Sequence, residues 1–201
     1  MQSFYSKLFF GTIVLILLVG TFGYAGDEKK SDMSKSGFFA DFQMQMNEVE
    51  KKLTDLAEAI PVEKYSWRPA EGVRSVMEVV VHVGGGNYYL PSLIGIKPPE
   101  SISMDMEKTI TEKSDAINAM KASFEHVRKG LAGLTDADLD KPAELFGNKS
   151  DVRSALFILL SHTHEHLGQL IAYARSNGVV PPWTAAQQQS KDEEEGEEKD
   201  E

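Results

Sequence analysis

Between Asp151 and Ser176, apolar side chains return at steps of three and four residues. This spacing puts them on one face of an α-helix. Leu156, Leu159, Leu160, Leu167, Leu170, Ile171 and Tyr173 carry the pattern. Ser150 or Asp151 can cap its start, and Asn177-Gly178 followed by Pro181-Pro182 stops it. At 1.5 Å per residue such a helix is roughly 40 Å long.

Three further stretches share the period. In the first, from Phe38 to about Ile60, the stripe is Phe39, Phe42, Met46, Val49, Leu53, Leu56 and Ile60, and Pro61 ends it. The second opens at Ser75, where Glu78 three residues on completes a capping box. Val76, Val79, Val80 and Val83 follow at helical spacing. The β-branched run MEVVVHV would also suit a strand, but the cap favours a helix. Gly84, Gly85 and Gly86 are expected to weaken or end it, and Pro91 to close it. The third runs from about Thr111 to Leu134 on Ile117, Met120, Phe124, Val127 and Leu131. Four amphipathic helices and no convincing hairpin indicate an all-α chain folded as a four-helix bundle. About 24 residues separate the second and third helices, so a simple up-down-up-down order is not required.

The ends differ from this middle. Residues 1–25 read as an export signal: Lys7 is the only charge, an apolar run spans Leu8 to Val19, and Gly23 and Ala25 are small residues suited to a cleavage site. An uncleaved anchor is the rival reading, because Leu8 to Ala25 is 18 residues, the lower limit for crossing a bilayer. Either way the domain is placed outside the cytoplasm, periplasmic or secreted, and a membrane is a partner only if the segment is retained. Residues 26–37 read as a flexible linker and residues 186–201 as an acidic disordered tail. From Lys191 onward the tail holds eight acids against two lysines, so most of the chain's net charge of −10 lies there. The folded domain is expected over residues 38–185. An acidic chain is a poor partner for nucleic acid. The lack of cysteine removes disulfides, thiolate metal sites and cysteine nucleophiles. Pairing as a homodimer stays open, since no apolar stripe is plainly surplus to the core.

The five histidines carry the chemistry: His82, His126, His162, His164 and His166. His162 and His166 are four apart and share a helix face, close enough for two imidazoles to reach one metal ion. His164 is turned about 200° from His162 and points elsewhere. His82 lies on the apolar face of the second helix. Three imidazoles gathered in a core lose water and repel one another if protonated, and a shared cation would relieve both costs. A satisfied core histidine at His82, and chance placement of the pair, are the plainer explanations. His126, between Glu125 and Arg128, reads as a surface residue. The HTHEH run is not HExxH, which excludes the zincin protease pattern.

Three stretches resemble the DinB-like family of metal-binding four-helix proteins: YSWRPAEGVRSVMEVVVHVGGGNYY from Tyr65, SHTHEHLGQLIAYAR from Ser161 and SNGVVPPW from Ser176. The resemblance implies an up-down-down-up bundle. It also implies a divalent cation, zinc or nickel most often, held by His82 from the second helix and His162 and His166 from the fourth. Many relatives carry an arginine directly after the last histidine, where this chain has Leu167.

Three histidines leave coordination positions open for water or a small-molecule substrate. The family's assigned chemistry includes thiol-dependent transferases and a mycothiol-dependent isomerase. The resemblance therefore implies a metal-dependent hydrolase or thiol-type transferase, with no catalytic residue assigned beyond the metal ligands. A non-catalytic metal-binding bundle and a purely structural one are the alternatives. Glu165, Gln169, Asn87, Tyr88 and Trp67 are polar or aromatic residues near the expected site. Gln169 could orient a ligand or simply make a packing hydrogen bond, Glu165 points away from the pair, and Trp67 and Trp183 read as packing residues.

Overall fold

The computed structural model describes residues 37–103 and 105–197, with side chains described as far as residue 193. The expected signal over residues 1–25 and the linker up to residue 36 lie outside the described residues. Among the described residues no helix is long and apolar enough to cross a membrane.

Four helices make the bundle: α1 (Gly37–Ala59), α2 (Val76–Ser92), α4 (Lys113–Leu131) and α5 (Val152–Ser176), with a single-turn α3 (Met106–Thr109) in the long connection. Their apolar stripes are buried as expected, with Val49, Leu53, Val79, Met120, Leu159 and Leu170 among the most enclosed. At α2 the expected capping box forms. The Glu78 amide donates to Ser75 Oγ at 3.2 Å, and the Ser75 amide donates to Glu78 Oε2 at 2.7 Å. Of the two candidate caps for α5, Asp151 does the work, accepting from the Ser154 amide at 2.8 Å.

Contacts fix the direction of each helix. α1 and α5 run parallel, since Phe38 packs on Phe157 and Met46 meets Thr163. α1 and α4 run antiparallel, with Glu50 paired to Arg128 and Glu58 to Lys121. α2 and α4 run parallel, with Gly84 beside Met120 and Asn87 bonded to Ser123. α2 and α5 run antiparallel, because Tyr173 late in α5 bonds the Arg74 carbonyl just before α2, while Gly86 meets His162. In chain order the four helices therefore run up, down, down, up. α2 packs on both α4 and α5, and so bridges them.

Three expectations need correcting. First, α2 is not broken by its three glycines; it continues through Pro91 to Ser92. Each interior glycine costs about 0.5–1 kcal/mol relative to alanine, but at Gly86 the His162 ring of α5 occupies the space a side chain would take, while Gly84 makes ordinary contact with α4 and Gly85 faces open space. Second, a short hairpin precedes α5: β1 (Pro142–Leu145) pairs antiparallel with β2 (Asn148–Asp151). Phe146 and Gly147 form its two-residue turn at φ 53° and 79°, the left-handed backbone this type of hairpin needs. Third, a further helix, α6 (Pro182–Glu197), covers most of the segment read as a disordered tail. Proline suits its first position, where the backbone N–H would be unpaired in any case. Residues 186–193 are all exposed, so the polar composition still faces water.

Replacing Ser75 by alanine removes the α2 cap and is expected to cost about 1 kcal/mol, lowering Tm by roughly 2–4 °C. Thermal denaturation followed by circular dichroism measures this, and an unchanged Tm contradicts the role given to the cap.

Candidate metal centre

The antiparallel run of α2 and α5 brings His82, His162 and His166 together. Their ring centroids lie 4.5–5.1 Å apart. One ring nitrogen from each falls within 4.8 Å of the others, a group that could hold a metal ion. Gly86 makes room for it. A Cβ at that position would sit 2.2 Å from His162 Cε1, inside the space the ring occupies. His166 is buried; His82 and His162 are half-buried.

Hydrogen bonds orient two of the rings. His82 Nδ1 lies 2.6 Å from Glu107 Oε1, and a carboxylate can only accept, so the His82 proton is on Nδ1. His166 Nδ1 lies 2.8 Å from Gln169 Oε1, placing that proton on Nδ1 as well. Both Nε2 lone pairs are then free to face the cluster. Arg74 holds Glu107 from the other side, with Nε 2.9 Å from Oε2. His162 differs: its Nδ1 is buried without a partner, and its Nε2 lies 3.2 Å from His82 Nε2. Two nitrogens each about 2.0–2.1 Å from one tetrahedral ion would be about 3.4 Å apart, so the His82–His162 pair is already at ligation spacing, and the third nitrogen lies within 4.8 Å of both.

Electrostatics point the same way. Loss of water pushes the His162 ring well down, to about 4, and the adjacent His166, His82 and Arg74 add to the shift. His166 is also lowered, chiefly by burial, although its bond to Gln169 works in the opposite sense. Burial tends to raise the Glu107 carboxyl, but Arg74 and His82 outweigh it and hold the group below its ordinary value. The site thus keeps His162 and His166 neutral and Glu107 ionised at neutral pH, the states that ligation requires.

His164 and Glu165 are exposed and turned away, as their helical angles indicate. Gln169 touches the cluster by orienting His166. Asn87 and Tyr88 do not join it: Asn87 bonds Ser123 on α4, and Tyr88 stacks near His126. His126 is half-buried rather than a surface residue, and loss of water lowers its pKa. Trp67 packs edge-on against Tyr173 at 5.1 Å, and Trp183 packs against the core, so both are packing residues. Leu167 is buried in the core, where an arginine could not remain without a partner. Sequence reasoning missed Glu107, Arg74 and Tyr173 as supports of the cluster. Glu107 is 25 residues from His82, and nothing in the spacing marks it.

The family model of the DinB superfamily matches residues 45–170. The uncharacterized protein YjoA of Bacillus subtilis is 31% identical over 137 residues, spanning 62% of this chain and 80% of YjoA. The crystal structure of a DinB-like protein from Bacillus cereus superposes with a TM-score of 0.65 at 19% identity, covering 71% of this chain and 95% of that one. YfiT from Bacillus subtilis, described as a probable metal-dependent hydrolase with an unusual four-helix bundle topology, superposes with a TM-score of 0.56 at 17% identity, covering 75% and 94%. At these identities the solved structures speak for the fold.

The lowered histidines give a pH prediction for the metal-free protein. An unfolded imidazole takes up its proton near pH 6.5, whereas His162 in the fold resists until about pH 4. Across that window the unfolded state binds more protons, so this ring makes stability fall as pH drops from about 6.5 toward 4 and has no effect well above it. Denaturation at pH 7.5, 6 and 5 is expected to show a shallower decline in His162→Gln than in the parent. Equal slopes would contradict the burial of a neutral ring.

Proposed function

The chain belongs to the DinB superfamily, and from that premise we propose that it is an exported metal-dependent hydrolase acting on a small molecule. In this reading His82, His162 and His166 hold one divalent cation, zinc or nickel. The observation that carries it is the convergence of three imidazole nitrogens within 4.8 Å, with Glu107 and Gln169 holding two of the Nδ1 protons. An ion held there supplies Lewis acidity toward a water or a substrate oxygen. The chain's own residues keep the rings aimed and neutral. A surface pocket of about 510 Å³ has Arg74, Glu107 and Gln169 in its wall, so it opens beside the groups that orient His82 and His166 rather than on the rings themselves. The description of YfiT supports hydrolysis over thiol transfer. Export is supported by the apolar run from Leu8 to Val19 and the small residues after it.

A metal-binding bundle without turnover is the second reading. Leu167, buried where many relatives carry an arginine, favours it.

Elemental analysis tests the metal. About one ion per chain is expected, lost in His162→Ala and in His166→Ala and retained in His164→Ala, with affinity falling below about pH 6.5. Absence of stoichiometric metal in the parent, or equal loss in His164→Ala, overturns the ligand assignment. Ester and amide hydrolysis by zinc-loaded protein separates the two readings. Turnover that disappears in His166→Ala supports the hydrolase, and metal binding without turnover supports the second.

A further inference from the structure

We propose that Tyr173 is a positioning residue for the metal centre: its hydroxyl, anchored on the main-chain carbonyl of Arg74, sets which way the Gln169 amide faces and so keeps the His166 proton on Nδ1. The effect on metal affinity rests on the ligand assignment above; the placement of the proton does not.

The inference follows from a hydrogen-bonded chain with one fixed end. A main-chain carbonyl can only accept, so the Tyr173 hydroxyl, 3.1 Å from the Arg74 oxygen, donates to it. With its proton committed, the tyrosine oxygen accepts from Gln169 Nε2 at 2.9 Å. The two ends of the glutamine side chain are nearly the same shape, and this bond decides between them. Nitrogen faces the tyrosine, so Oε1 faces His166 Nδ1 at 2.8 Å and accepts its proton. Nε2 of His166 is left with a bare lone pair toward the other two rings. If the amide turned over, its NH₂ would face Nδ1 as a donor, and the proton would move to Nε2, the atom a metal needs. The aromatic body of Tyr173 is buried and held edge-on by Trp67, so the hydroxyl has little freedom to abandon Arg74.

Residue 74 anchors the other ring too. Its guanidinium grips Glu107, and Glu107 holds the Nδ1 proton of His82. One residue just ahead of α2 therefore sets two ligands on two helices, through its carbonyl for His166 and through its side chain for His82. The antiparallel contact of α2 and α5 makes this convergence geometrically available.

A double-mutant cycle read by zinc competition titration on the full chain tests the proposal. Tyr173→Phe keeps the ring and removes the hydroxyl. In the Gln169 background it is expected to weaken zinc binding about 10-fold, the low end for losing an outer-shell partner of a ligand. Gln169→Glu offers only acceptor oxygens, so in that background Tyr173→Phe should weaken binding by less than about 2-fold. An equal loss in both backgrounds would make Tyr173 a packing residue and overturn the proposal. Nitrogen-15 chemical shifts of the metal-free protein give a second readout. His166 should be protonated at Nδ1 in the parent and a mixture of tautomers in Tyr173→Phe, and an Nε2 proton in the parent would also overturn it. Should the parent bind no zinc, the ligand assignment fails, and the nitrogen-15 shifts still decide the role of Tyr173.

Discussion

Everything at this centre depends on how closely α2 can approach α5. An ordinary side chain at position 86 would occupy the space of the His162 ring. Gly86 removes that obstacle and lets imidazoles from two antiparallel helices meet with Nε2 atoms 3.2 Å apart. The same approach concentrates unfavourable terms. Rings are withdrawn from water, the Nδ1 of His162 is left without a partner, and protonation is suppressed. Such an arrangement is costly for stability alone. It becomes favourable if the lone pairs have a cation to share.

The surroundings of the cluster are as specific as the cluster. Around it lies an apolar core to which Val79, Leu159 and Leu170 contribute, and such a core offers few competing hydrogen bonds. The polar groups that do reach the rings come from different parts of the chain: Glu107 from the connection after α2, Gln169 from α5 itself. Parallel packing of α2 and α4 requires a long return between them, and that return carries α3 with Glu107 back to the start of α2. The uncommon helix order thus does chemical work, because the crossover it demands supplies an orienting carboxylate. His82 and Glu107 form the histidine–carboxylate pairing that tunes imidazole ligands in metal proteins.

Much of this was legible in the sequence. The 3.6-residue period located the four long helices, and the i, i+4 spacing placed His162 and His166 on one face with Leu159 and Leu170. The apolar face of the second helix made His82 the third candidate, and the resemblance on Tyr65–Tyr89 and Ser161–Arg175 implied it as a ligand and implied the helix order. What was not legible depended on tertiary proximity. Glycine propensity argued against continuing α2, but the helix runs on, and at Gly86 the His162 ring fills the space a side chain would need. The strands Pro142–Leu145 and Asn148–Asp151 are four residues each and lack clear alternation of polar and apolar residues, so only Gly147 hinted at a turn. Charged neighbours suggested that His126 faced water, yet Tyr88 covers it from α2. Acidic composition suggested disorder where α6 runs to Glu197, since composition reports solvation rather than backbone conformation.

The central claim is that the nitrogens of His82, His162 and His166 share one ion. Anomalous diffraction from zinc-loaded crystals, recorded on both sides of the zinc absorption edge, tests it most directly. A single edge-dependent peak about 2.0–2.1 Å from Nε2 of each of the three rings is the expected result. A peak bound elsewhere, or no peak between rings that remain in place, would contradict it.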